Sequence, residues 1–258
     1  MAVLALILPL APAVRWRPTW VLAGSASALF ILSRLSVPHI RDWIPLLLTL
    51  VAYREMDWFT PAHKAGHLER AWVQWDRYLL NDLHMRAVLE SLGPFIPGYF
   101  ELCYVLVYGI GAYCLIVLYA EHRPDRVDAF LCVYALGGLL SYALFPFFPS
   151  DPPRTVFAGA DLPVMTPIRH LNLWLVNDYG IHSSVFPSAH VSTGFAAAWG
   201  LRHALPERPW FGWGLFLYAV SMSVATVYGR YHYAVDALAG FAVSVAAIGL
   251  VKLLRIRI

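Results

Sequence analysis

The sequence predicts an all-α fold, a polytopic membrane bundle of about six to seven transmembrane helices. Three observations carry that expectation. Of 258 residues, 59% are hydrophobic and 14% charged, where soluble domains average about 45–50% and about 25%. Mean hydropathy is +0.59. The apolar residues also fall in continuous runs, and a helix needs about 17–25 of them to cross a bilayer. Lipid offers the backbone no hydrogen-bond partner, so such runs read as helices.

In chain order the runs lie at about 19–33, 40–53, 98–120, 128–148, 187–204, 210–228 and 234–254. Residues Met1 to Val14 are apolar, carry Pro9 and Pro12, and have no basic region before them. They read as a short or re-entrant membrane element and not as a signal peptide. Arg123 and Arg126 in 121–126, Arg202 and Arg208 in 201–209, and Lys252, Arg255 and Arg257 fall on one side of alternating spans. That side is expected to be cytoplasmic. Arg34 and Arg41 agree; Arg15 and Arg17 fit only if 1–14 is not a full span. The other side receives 54–97, 149–186 and 229–233. Within 54–97, Trp72, Trp75, Leu79 and Leu83 step by three and four, the spacing of an amphipathic helix. The chain is thus expected to divide into 1–97, membrane segments plus this amphipathic region, and 98–258, a transmembrane core.

The net charge of +3 carries no nucleic-acid signal. Cys103, Cys114 and Cys132 lie inside apolar runs and form neither a disulfide framework nor a CxxC metal pair. They read as buried thiols. No internal repeat or low-complexity tract is visible.

Two stretches carry chemistry, FPSAH at 186–190 and YGRYHYAVD at 228–236. Both fall at the non-cytoplasmic ends of expected helices, so residues distant in sequence share one depth. His232 and Asp236 are spaced i, i+4, which would put them on one helical face. A carboxylate there accepts a hydrogen bond from one ring N–H, fixes the tautomer and leaves the other nitrogen free as nucleophile or base. Pro187 suits a first helical turn. The amides of Ser188, Ala189 and His190 would then form a helix N-terminus suited to phosphate, and His190 could protonate a leaving oxygen. Arg154, closing FPFFPSDPPR at 145–154, and Arg230 offer paired hydrogen bonds to phosphate oxygens. Taken singly, each element has a plainer reading: a polar pair at a helix end, an ordinary helix start, an arginine on lipid headgroups. Their shared depth is what joins them. Arg54, Glu55 and Asp57, with Trp75, Asp76 and Arg77, read as an interfacial cluster pairing its own charges. His182, Ser183 and Ser184 read first as a helix cap.

PSAH followed by HxxxD, with a proline–arginine motif upstream, resembles the type 2 phosphatidic acid phosphatase (PAP2) superfamily. FPxxPxxPPR and the HYxxD form resemble its inositol phosphorylceramide synthase-like branch. The resemblance covers about residues 98–254. It implies that His232, oriented by Asp236, attacks phosphorus, that His190 protonates the leaving group, and that Ser188 and the basic residues hold the phosphate. It implies a lipid phosphate or phospholipid substrate, hydrolysis or transfer through a phosphohistidine, and no metal or cofactor. There are three departures. No lysine matches the start of the phosphatase pattern. Arg230 stands two residues before His232, where that pattern places arginine six before. Ala189 replaces the usual glycine. These favour the synthase-like branch. A metal-dependent hydrolase with His190, His232 and Asp236 as ligands and a non-catalytic lipid transporter or scaffold are the other classes these residues allow. A prokaryotic plasma membrane, with the site on the extracytoplasmic face, is the expected location.

Overall fold

The computed structural model describes residues 38–61, 66–93, 95–157 and 159–254, with isolated positions 24, 27, 30 and 34. The expected element at 1–14 and, apart from three helical positions, the run at 19–33 lie outside the described residues. Among the described residues the chain is helical and contains no strand.

From residue 38 to residue 254, among the described residues, eleven α-helical segments follow one another: α1 Pro38–Phe59, α2 His67–Arg77, α3 Met85–Ser91, α4 Phe95–Leu106, α5 Ile110–Ala120, α6 Val127–Leu144, α7 Pro153–Val156, α8 Pro167–Asp178, α9 Ala189–Ala204, α10 Pro209–Tyr228 and α11 Ala234–Leu253. Among the described residues four continuous helical stretches are long and apolar enough to cross a membrane: Phe95–Ala120, Pro124–Phe147, Pro209–Tyr228 and Ala234–Leu253. They mark an integral membrane protein. The first joins α4 to α5 through a 3₁₀ turn at Val107–Gly109.

The bundle is built around α9. This 16-residue helix is buried along almost its whole length and packs on α6, α10 and α11. It can be short because protein, and not lipid, encloses it. Small residues let its neighbours approach closely, as membrane packing favours. A Cβ at Gly137 on α6 would lie 2.5 Å from Ala196 Cβ, and one at Gly240 on α11 would lie 2.5 Å from the Ser188 carbonyl oxygen. Ser192 adds a buried hydrogen bond to the Gly137 carbonyl at 2.8 Å.

Three boundaries differ from expectation. Helix α1 runs past residue 53 to Phe59, because its polar last turns find partners. Arg54 donates to the Gly180 carbonyl at 2.6 Å, and Asp57 accepts from the His182 amide at 2.9 Å. The amphipathic helix expected through Trp72, Trp75, Leu79 and Leu83 forms as α2, but it passes into a π-helical turn at Tyr78–Asp82 and stops before His84, whose left-handed backbone precedes α3. Trp72 is buried against Phe186 and Tyr233, while Trp75 is exposed. Helix α9 begins at Ala189, with Pro187 outside its cap.

Candidate active site

The site forms where the N-termini of α9 and α11 meet the turn that ends α10. Ser188 is the N-cap of α9, its hydroxyl accepting from Val191 N–H at 3.3 Å. Its own amide donates to the Asp236 carbonyl at 3.0 Å. Ser188 N–H is therefore not available to a phosphate, contrary to expectation. The amides of Ala189 and His190 make no backbone hydrogen bond among the described residues. Neither His182 nor Ser183 nor Ser184 caps the helix. Ser184 lines the cavity instead and donates to the Phe148 carbonyl at 2.5 Å.

The turn 229–232 closes α10, with the amides of Tyr231 and His232 both donating to the Thr226 carbonyl, at 2.9 and 3.0 Å. It requires a left-handed residue, Arg230 at φ 62°, a conformation uncommon outside glycine. The Arg230 carbonyl accepts the Arg154 amide at 2.9 Å, which ties α7 to the turn.

His232 lies before α11 and not on it, because Tyr233 is the N-cap. The i, i+4 spacing therefore works through the capping turn and not through a helical face. Asp236 Oδ2 accepts from Tyr233 N–H at 2.9 Å and stands 3.4 Å from His232 Nδ1. The nearer partner of Nδ1 is the Val185 carbonyl, at 2.9 Å. A carbonyl only accepts, so Nδ1 carries the proton and Nε2 is bare. Burial pulls the His232 pKa down to about 3; the Val185 carbonyl opposes this and Arg154 adds to it. The imidazole is neutral through the physiological range, its free Nε2 suited to attack.

Nε2 of His232 lies 3.4 Å from His190 Nδ1. His190 is held by rings. Tyr104 stacks on it at 5.0 Å between centroids, and Tyr104 stacks on Tyr231 at 3.8 Å. Its other nitrogen meets the Tyr108 hydroxyl at 3.3 Å. His190, His232, Ala189 and Arg154 line one cavity of about 30 Å³ with Tyr53 and Ser184. Tyr53, Ala189 and His190 also line a second cavity of about 60 Å³, which reaches Leu50 and Tyr108. Among the described residues the Arg154 guanidinium has no hydrogen-bond or carboxylate partner.

Arg230 is placed differently. Its buried guanidinium donates to the Asp161 carbonyl at 3.0 and 3.2 Å and lies 4.1 Å over the Phe157 ring. It does not line the cavity of the two histidines, because the turn that presents His232 to the cavity sends Arg230 into the packing against Asp161 and Phe157. Its expected place as a phosphate ligand is not supported. Arg77 pairs with Asp161 at 3.2 Å, and Asp76 accepts from Ala234 N–H at 3.0 Å. Within the cluster Arg54 pairs with Asp57 at 3.6 Å, but Arg77 and Asp76 find their partners outside it, so the expected internal pairing holds only in part.

A metal centre on His190, His232 and Asp236 does not match this geometry. His190 and Asp236 approach opposite nitrogens of the His232 ring, so the three do not converge on one point. Sequence reasoning missed the tyrosines and a buried network behind them. Arg169 pairs with Glu101 at 2.7 Å and donates to the Gly229 carbonyl at 3.0 Å. Tyr231 donates to Glu101 at 2.6 Å, and Asn172 donates to the same carboxylate at 2.7 Å. Glu101 stands in an apolar run 68 residues from Arg169, with no local pattern to reveal the pair.

The sequence matches the family model of the PAP2 superfamily over residues 72–250, well over half of the chain. The chain belongs to the PAP2 superfamily, whose members act on lipid phosphates. No curated protein and no solved structure matches it.

Proposed function

We propose that the chain is a membrane-embedded lipid phosphatase or phosphotransferase that works through a phosphohistidine. The observation that carries this reading is the meeting of His190 and His232 at 3.4 Å in one cavity with Arg154, within a PAP2 chain. Nε2 of His232 attacks phosphorus and the bond to the leaving oxygen breaks. His190 gives that oxygen a proton, a step typically worth about 10²–10⁴-fold. Arg154 and the amides of Ala189 and His190 hold the phosphoryl oxygens, where preorganised donors stabilise developing charge. Asp236, 3.4 Å from Nδ1, favours the charge His232 acquires as it attacks. Ser188 acts by capping α9 and so aiming its amides. Arg230 shapes the turn.

Water or a lipid alcohol then takes the phosphoryl group. The FPxxPxxPPR and HYxxD motifs, like those of inositol phosphorylceramide synthases, favour an alcohol acceptor and a phosphodiester donor. The site faces outward from a prokaryotic plasma membrane in this reading.

Purified protein in detergent with chelator, given a panel of lipid phosphates and phosphodiesters, tests it. Turnover is expected in the wild type, with His232→Ala abolishing it and His190→Ala lowering it by at least about 10²-fold. The phosphorus-containing product distinguishes hydrolysis from transfer. Undiminished turnover in both variants sinks the mechanism.

A further inference from the structure

The two histidines and Tyr108 form a chain whose hydrogen positions follow from its first link. His232 Nδ1 faces a carbonyl at 2.9 Å and must donate to it. Its Nε2 must then accept from His190 Nδ1, at 3.4 Å. A neutral His190 with its proton on Nδ1 has a bare Nε2, and the Tyr108 hydroxyl, at 3.3 Å, donates to it. The backbone supports this placement. The span Phe95–Ala120 leaves α-helical geometry at Val107–Gly109, a 3₁₀ turn that carries Tyr108 at its centre. Such mid-helix interruptions often mark functional positions. The Tyr108 ring meets the His190 ring edge-on, at 5.6 Å and 83°, while Tyr104 covers one face of the imidazole. Ring and hydroxyl together fix the plane of His190.

We propose that Tyr108 is the positioning residue of the general acid. It anchors His190 through Nε2, so that the proton exchanged with substrate is always the one on Nδ1. The inference rests on the phosphohistidine reading. When an anionic phosphate enters, the solvent proton that neutralises part of its charge is taken up, as hydronium, at His190 Nε2, which becomes the imidazolium. The Tyr108 hydroxyl rotates and accepts from Nε2–H, since a phenol both donates and accepts. As His232 Nε2 bonds to phosphorus, the bond to the leaving oxygen breaks and that oxygen receives the Nδ1 proton. His190 is left neutral, with its proton on Nε2 held by Tyr108 and Nδ1 bare beside the phosphohistidine. Nδ1 then takes the proton of the incoming water or alcohol as that oxygen attacks phosphorus and His232 departs. The imidazolium is restored and every proton is accounted for.

The full-length Tyr108→Phe protein tests this with two substrates: an alkyl phosphate ester, whose leaving oxygen needs a proton, and an aryl ester, whose leaving group does not. Comparing kcat/KM isolates the step that forms the phosphoenzyme. Tyr108→Phe is expected to lower kcat/KM for the alkyl ester by about 10- to 100-fold, within the range of general acid catalysis, and to leave the aryl ester within about threefold. Equal losses on both esters, or no loss on either, overturn the proposal. The wild type provides an independent reading should the variant fail to fold. ¹⁵N histidine spectra, with the His190 signal assigned by its loss in His190→Gln, are expected to show the resting proton on Nδ1. A resting proton on Nε2 overturns the proposal without any tyrosine variant. His232→Ala run alongside keeps the two claims apart: turnover that survives it removes the mechanism, whereas its loss together with an unaffected Tyr108→Phe removes only the role of Tyr108.

Discussion

Arg154 and Arg230 are linked by one backbone hydrogen bond, yet their side chains face different surroundings. Arg154 turns into the histidine cavity with no protein partner among the described residues; Arg230 is buried against Asp161 and Phe157. Burial lowers the Arg230 pKa to about 10, with Asp76 opposing. The first arrangement leaves donors for a ligand and the second uses them on the fold. Arg154→Ala is therefore expected to lower kcat/KM by about 10²–10³-fold, the usual cost of losing a preorganised donor, with an unchanged melting temperature. Arg230→Ala is expected to destabilise by about 1–3 kcal/mol by stripping the part-buried Asp161 carbonyl of its donors and the Phe157 ring of its packing partner. Melting curves and kinetics on both variants check this, and the reverse pattern would refute it. In the sequence Arg230 already stood out by its spacing from His232, but where its side chain goes was not readable, because a left-handed turn at residue 230 decides it. His190, His232 and Asp236 were legible because motif spacing survives in a tight turn even when the helix starts later than expected.

At the scale of elements, the long apolar runs were legible because composition alone dictates them. In the polar region 54–97 the amphipathic spacing revealed α2 but not where it stops or what it packs on, because those are set by contacts with loops distant in sequence. Helix α2 shows the consequence. Its Asp76 Oδ1 accepts from Ala234 N–H at the start of α11, two residues after His232, while Oδ2 is buried without a partner. Burial pushes the Asp76 pKa up to about 7, with Asp236 adding and both Ala234 N–H and Arg230 opposing. The folded protein therefore holds a proton that the unfolded chain, near its ordinary 3.8, releases. Between about pH 4 and 7 the folded state binds more protons, so this residue makes stability fall as pH rises through that window, and the penalty is complete above it. Asparagine keeps the acceptor and removes the charge. Asp76→Asn is expected to melt higher than wild type at pH 8, by a few degrees for about 1–2 kcal/mol, and to show no gain at pH 4.5. An equal gain at both values would mean that the buried charge is not the cause.

The whole molecule is polar at two ends that differ in character. At one end Arg126 donates to Glu207 at 3.0 Å and to the Ala204 carbonyl at 2.6 Å, Arg123 also pairs with Glu207, and Arg208 donates to Glu121 at 3.2 Å. Arg41 and Asp128 join them at 3.0 Å. These are the loops whose arginines set the expected cytoplasmic side. At the other end lie Arg154, His190 and His232. Helix α6 separates the two, and its 18 residues rise about 27 Å, close to the roughly 30 Å of a hydrocarbon core. A substrate held in the membrane by its chain can meet the histidines only from the leaflet at their end, so orientation decides which pool of lipid the enzyme acts on. Single cysteines at two exposed positions, Asp125→Cys and Val156→Cys, in protein lacking Cys103, Cys114 and Cys132, read that orientation directly. A membrane-impermeant thiol reagent is expected to label position 156 in right-side-out vesicles and position 125 only in inverted ones. Labelling of both from one side would mean that α6 does not cross. The opposite assignment would place the phosphoryl chemistry in the cytoplasmic leaflet, and with it the supply of acceptor and the fate of the released headgroup.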